Sequence, residues 1–137
     1  MSVYLDASAL VSLFVYDAHS LRAEAVVKSF ANDLAVSDFA VAEYSAALTR
    51  RVRTGALRES DCDALFDQVD AWQEPRRLQT EAGDVVKATA LVRQRALGLR
   101  APDALHLAIA LREGAQLLTF DARMARGAAA VGIPVVP

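Results

Sequence analysis

The 137-residue chain is long enough for one compact domain, and a hydrophobic content of 54% supplies a core with apolar surface to spare. A single cysteine excludes an internal disulfide or a cysteine-based metal cluster, and no apolar stretch is long and uninterrupted enough to span a bilayer. The formal net charge of −2 argues against a simple nucleic-acid coat, and the missing basic leader and cleavage site point to a cytosolic protein.

The elements follow in chain order. SVYLD opens the chain as a β-rich run, and helical spacing takes over in SALVSLFVY after Asp6. A second helix is expected from His19 to Ala31, with Leu21, Ala25, Val26 and Phe30 on one face. LAVS, residues 34–37, reads as a buried strand, and Asp38 is expected to cap a helix that carries Tyr44 and Leu48 and ends at Gly55. Another helix runs from Arg58 into Trp72 and stops before Pro75. RRLQT, residues 76–80, is placed as a strand despite its poor alternation. A long helix from Ala82 to Ala96 ends at Gly98, Pro102 starts the next, and Gly114 stops it. QLLTF is a buried strand, Ala122 to Val131 a short helix, and PVV a last strand. No repeat or linker interrupts the alternation, so residues 1–137 read as one α/β domain whose parallel sheet is covered on both faces.

Within this frame four acids stand out. Asp6, Glu43, Asp103 and Asp121 are each the only charge inside an apolar or neutral run: MSVYLDASALVSLFVY, FAVAEYSAAL, APDALHLAIAL and GAQLLTFDA. A carboxylate among buried side chains must be paired, neutralised or metal-bound. None of the four has a Lys or Arg inside its run, so the expectation is a set of unpaired acids. Asp6 and Asp121 fall at strand ends, Asp103 in the first turn of a helix and Glu43 about one turn into another. All four can therefore open onto the crevice at the carboxyl edge of the sheet, where such folds bind ligands. Gathered there, they repel at roughly 4 kcal/mol per close pair at an intermediate dielectric, unless a cation lies between them.

Oxygen-only donors suit magnesium or manganese rather than zinc. Two such ions roughly 3.5–4 Å apart activate a water and stabilise the leaving oxygen of a phosphodiester, whereas a single ion leaves the water to a carboxylate. The sequence does not choose between these arrangements. The hydroxyls of Ser8 and Thr119, two residues from Asp6 and Asp121, can hold the metal's waters or a phosphate, or serve ordinary turn and strand roles. The arginines come in groups, such as Arg50, Arg51 and Arg53, or Arg93, Arg95 and Arg100; they read either as a basic rim for phosphates or as solvated helix faces. His106 on the apolar LHLAIAL face is expected to be a packed, hydrogen-bonded histidine, His19 a cap or surface residue, and Tyr44 and Trp72 packing residues.

YLDASALVSLF, the Glu43 helix with its downstream AALTRR, and APDALHLAIALREGAQLLTFDARMARGAAAVGIPVV, in that order, resemble the PIN-domain family and, more narrowly, the VapC-type toxins of bacterial toxin–antitoxin pairs. The resemblance covers essentially the whole chain. It implies a three-layer α/β/α domain around a central parallel sheet and a magnesium- or manganese-dependent ribonuclease. The family's acidic quartet falls on Asp6, Glu43, Asp103 and Asp121, with Asp6, Asp103 and Asp121 as metal ligands and Ser8 as the small hydroxyl beside the metal. It also implies a homodimer and a small antitoxin partner that pushes a basic side chain toward the acids. The competing reading is a catalytically inactive module that keeps the fold to bind a protein. A phosphatase using an aspartyl nucleophile is disfavoured, because Ser8 stands where that chemistry wants a second acid.

Overall fold

A computed structural model describes residues 1–137. Four parallel strands, β1 (Val3–Leu5), β2 (Leu34–Ser37), β3 (Arg76–Leu78) and β4 (Gln116–Leu118), pair in the order β3-β2-β1-β4. Seven helices connect them: α1 (Ala7–Phe14), α2 (Ser20–Ser29), α3 (Asp38–Arg53), α4 (Glu59–Ala71), α5 (Ala82–Arg93), α6 (Ala101–Glu113) and α7 (Ala122–Ala130). The result is the expected α/β/α sandwich.

Side chains of β1, β2 and β4 alternate between two cores, which is why these strands are rich in apolar residues, whereas β3 leaves both of its arginines exposed. Val3, Leu5, Val36 and Leu118 pack under α1 to α4, with Leu10, Tyr44 and Leu48. Tyr4, Ala35 and Leu117 face the other way and pack under α5, α6 and α7, with Leu91, Leu107 and Ile109. Cys62 is buried in the first core, and Tyr44 and Trp72 serve packing there: the Tyr44 hydroxyl donates to the Leu65 carbonyl, and Trp72 meets Phe14 edge-on.

The chain steps from β1 to β2 to β3 in one direction, then returns across the sheet to lay β4 on the far side of β1. Neighbouring connections therefore diverge between β1 and β4, and the register sets Leu5 beside Leu118. The next residues of both strands, Asp6 and Thr119, emerge together at the carboxyl edge, at the point where this topology opens a crevice.

Several local expectations need correction. Ser37, not Asp38, caps α3: its backbone is extended and its Oγ accepts from the Ala40 N–H at 3.0 Å, while Asp38 lies in the first turn and accepts from Thr80. The helix expected to reach Ala96 breaks at Arg93, and a single 3-10 turn over Arg95–Leu97 leads into left-handed Gly98. The strand expected at PVV is one bridge between Val135 and Leu117, since Pro134 has no N–H to extend a ladder. His19 is as expected an exposed residue at the start of α2; it makes no side-chain cap bond and stacks on Phe120, with ring centroids 4.6 Å apart.

Candidate active site

Asp6 follows β1 and caps α1, so its carboxylate lies at the positive end of that helix. It is only 2% exposed, and its partners are neutral. Oδ1 accepts from the Ser8 hydroxyl at 2.7 Å and the Ala9 N–H at 2.9 Å, and Oδ2 accepts from the Thr119 hydroxyl. Burial pushes the Asp6 carboxyl above its ordinary range, and nearby His106 and these donors only partly offset that. Ser8 and Thr119 thus orient Asp6, and Ser8 Oγ also accepts from the Phe120 N–H at 2.9 Å, tying α1 to the segment after β4.

Asp121 caps α7 and accepts from the Met124 N–H at 3.0 Å. Asp103, in the first turn of α6, accepts from the Arg100 backbone N–H at 3.1 Å and from the Arg100 guanidinium at 3.3 Å. The same guanidinium stands 4.0 Å from Asp121. The expectation that no basic residue accompanies these acids is therefore wrong: Arg100 lies just upstream of the apolar run, and the first turn of α6 folds it back over Asp103. It nevertheless remains 62% exposed, held by two modest ion pairs.

Glu43 projects from the second turn of α3. Its Oε1 is 2.5 Å from His106 Nε2, so a histidine does enter the acidic group, contrary to the oxygen-only expectation. His106 itself is buried and hydrogen-bonded, as the apolar face of α6 led one to expect. Ser8, Glu43, Arg50, Arg100 and Pro102 line a cleft of about 410 Å³. No three of the chain's His, Cys, Asp and Glu side chains are grouped closely enough to ligate one ion, and of the four acids Glu43 alone lines this cleft. Arg100 is the basic residue common to the group, since Asp103, Asp121 and Glu43 all hold its charged form.

The donor chemistry suits a hard divalent cation. The buried acid has only neutral donors, two further acids share a guanidinium in the manner of a stand-in cation, and all available ligand atoms of the aspartates are oxygens. Sequence reasoning missed Arg100 as a partner, although an Arg three residues before an Asp at a helix start was visible. It also missed the pairing of His106 with Glu43, which no local pattern encodes across 63 positions.

The profile of the family described as PIN domain matches residues 3–130. The chain is similar to ribonuclease VapC45 of Mycobacterium tuberculosis, at 37% identity over 140 residues, covering 98% of this chain and 94% of the relative. Its fold is that of Mycobacterium tuberculosis VapC20, a toxin that cleaves the sarcin–ricin loop, with a TM-score of 0.78 at 22% identity over 98% of each chain. It also matches Rickettsia felis VapBC2, solved with a DNA fragment from its promoter, with a TM-score of 0.75 at 16% identity over 99% of this chain and 98% of that one. With its strand order, its acids at the β1–β4 edge and a profile match over nearly all of its length, the chain belongs to the PIN domain family, in its VapC branch.

Proposed function

We propose that this chain is a magnesium- or manganese-dependent endoribonuclease, the toxin half of a toxin–antitoxin pair, which hydrolyses RNA phosphodiester bonds at Asp6, Glu43, Asp103 and Asp121. The observation that carries this reading is Asp6, a buried carboxylate at the sheet's switch point with neutral donors on both oxygens. Capping α1 calls for an acceptor there, which a serine supplies without a buried charge. The names of the VapC relatives support the activity, and the complex structures among the neighbours support an antitoxin partner.

Asp6, Asp103 and Asp121 would hold the cation directly or through its waters, since as they stand they are not grouped closely enough for all three to ligate it directly, with Ser8 and Thr119 fixing the angle of Asp6. When bound, a divalent ion supplies charge for the phosphate and acidifies a water. Glu43, which lines the cleft from α3, would orient the attacking water and take its proton. Arg50 and Arg100, both at the cleft, hold the flanking phosphates. The exposed Val85, Val86 and Val92 of α5 give an antitoxin or a second copy apolar surface to cover. No helix is long and apolar enough to cross a membrane.

The direct test incubates the purified protein with structured RNAs in magnesium, manganese or EDTA. Cleavage with either metal and none in EDTA is the expected result; no cleavage in any condition would instead favour the catalytically inactive binding module, a reading to which the Arg100 bridge over Asp103 and Asp121 lends weight.

If Arg100 holds the place of the cation, it competes with it. Arg100→Ala should tighten manganese binding about two- to fivefold by calorimetry, the worth of an exposed ion pair. Unchanged or weaker binding would mean that Arg100 stands clear of the ion.

A further inference from the structure

Behind Glu43 lies a buried polar chain that the proposed chemistry does not use. Tyr4 Oη is 2.7 Å from Ser37 Oγ and 2.7 Å from His106 Nδ1, and His106 Nε2 is 2.5 Å from Glu43 Oε1. Ser37 and Tyr4 are fully buried, His106 is 1% exposed, and every buried side-chain polar atom in the protein has a partner.

The direction of this chain follows from counting protons. The Ala40 N–H points into Ser37 Oγ, so the Ser37 hydroxyl proton has only Tyr4 Oη to go to. Tyr4 Oη then receives that proton and must send its own to His106 Nδ1. A phenol is protonated at neutral pH, so Tyr4 has a proton to give. With Nδ1 accepting, the neutral ring carries its hydrogen on Nε2 and donates it to Glu43. The reverse order would leave the buried Ser37 hydroxyl with no acceptor, which is costly.

We propose that Ser37 and Tyr4 lock His106 in the Nε2–H form, and that His106 thereby acts as a positioning residue that fixes the Glu43 carboxylate by Oε1 and leaves Oε2 for the cleft. The direction is set at the N-terminus of α3, the same helix that carries Glu43, so the cap of that helix and its functional side chain are linked through β1 and α6. The role given to Glu43 rests on the ribonuclease reading; the tautomer does not.

The test uses 15N-histidine spectra of the metal-free full chain, which distinguish the two imidazole nitrogens without RNA, together with kinetics. The expected wild-type spectrum has a protonated Nε2 and a bare Nδ1. The Glu43 carboxylate also asks for Nε2–H, so the lock is read in Glu43→Leu, which should keep the protonated Nε2, and in Glu43→Leu combined with Tyr4→Phe, which should give a mixture of tautomers in a folded protein. Tyr4→Phe should lower kcat about tenfold, the upper end of what one neutral hydrogen bond contributes, with KM within about twofold. Should Tyr4→Phe fail to fold, His106→Gln decides: its side-chain amide can still donate to Glu43, so it should retain more kcat than His106→Ala. A wild-type Nδ1 that carries a proton, a Glu43→Leu variant that already mixes the tautomers, a Tyr4→Phe variant with the full kcat, or equal losses in His106→Gln and His106→Ala would each overturn the proposal. Expected spectra in the wild type and the Glu43→Leu variants, from a wild-type chain that cuts no RNA with either metal, count against the ribonuclease reading, while the tautomer lock stands confirmed.

Discussion

Replacing Asp6 by asparagine should abolish metal-dependent RNA cleavage, on the order of a thousandfold or more, and at the same time raise Tm in EDTA by several degrees. The two effects have one cause. The wild-type carboxylate is desolvated among neutral donors, so its charge costs stability that only a cation can restore. Asparagine keeps an oxygen for Ser8 and Ala9, and the Thr119 hydroxyl can turn to accept from the new amide. The sign of the pH dependence follows. The Asp6 carboxyl is raised in the folded state, so its protonated form favours folding; that stability is full below the ordinary value of 3.8 and is lost as pH rises through the elevated one. The gain from Asp6→Asn should therefore be present at neutral pH and disappear in acid, as followed by thermal melts across pH. Asp103→Asn should be equally inactive. Cleavage at the wild-type rate in either variant would remove these acids from the reaction.

The largest expected loss of stability lies away from the site. Asp84, 2% exposed in the first turn of α5, receives two parallel bonds from Arg112 of α6, Nε to Oδ1 at 2.8 Å and Nη2 to Oδ2 at 3.1 Å. The same guanidinium reaches the Gln79 carbonyl, so one side chain clamps α5 and the segment after β3 to α6. Arg112→Ala strands a buried carboxylate and should cost about 3–5 kcal/mol in urea unfolding, out of the roughly 5–15 kcal/mol that a domain commonly has. Burial alone would push the Asp84 carboxyl up, but the Arg112 bonds and the Glu81 N–H reverse this and hold it below its ordinary value. The pair's contribution is thus present above the ordinary carboxylate range and lost as pH falls through the lowered value, and wild type and variant should converge in strong acid. A cost under about 1 kcal/mol at neutral pH would show that solvent already screens the pair.

The layer order and the position of the acids could be read from the chain because both are local signals. Buried strands show as short apolar runs such as residues 34–36 and 117–118, Gly98 and Gly114 mark the ends of helical spacing, and an acid such as Asp6 is conspicuous among apolar neighbours. What escaped depends on contacts between distant positions. Asp84 and Arg112 look like ordinary solvated charges until α5 and α6 pack against each other, and Glu43 meets His106 only once α3 and α6 flank the same end of the sheet. The displaced cap at Ser37 has a different origin: Ser and Asp are equally good caps, and only the extended backbone at the end of β2 decides between them.

The pairing of β4 with β1 has a bearing on how the chain is made. Translation delivers Asp6 almost at once, but the hydroxyl of Thr119 and the carboxylate of Asp121 emerge more than a hundred residues later, and β4 cannot settle beside β1 before then. The carboxyl edge of β1 therefore stays open on that side for nearly the whole of synthesis, and Asp6 meets Thr119 only at the finish.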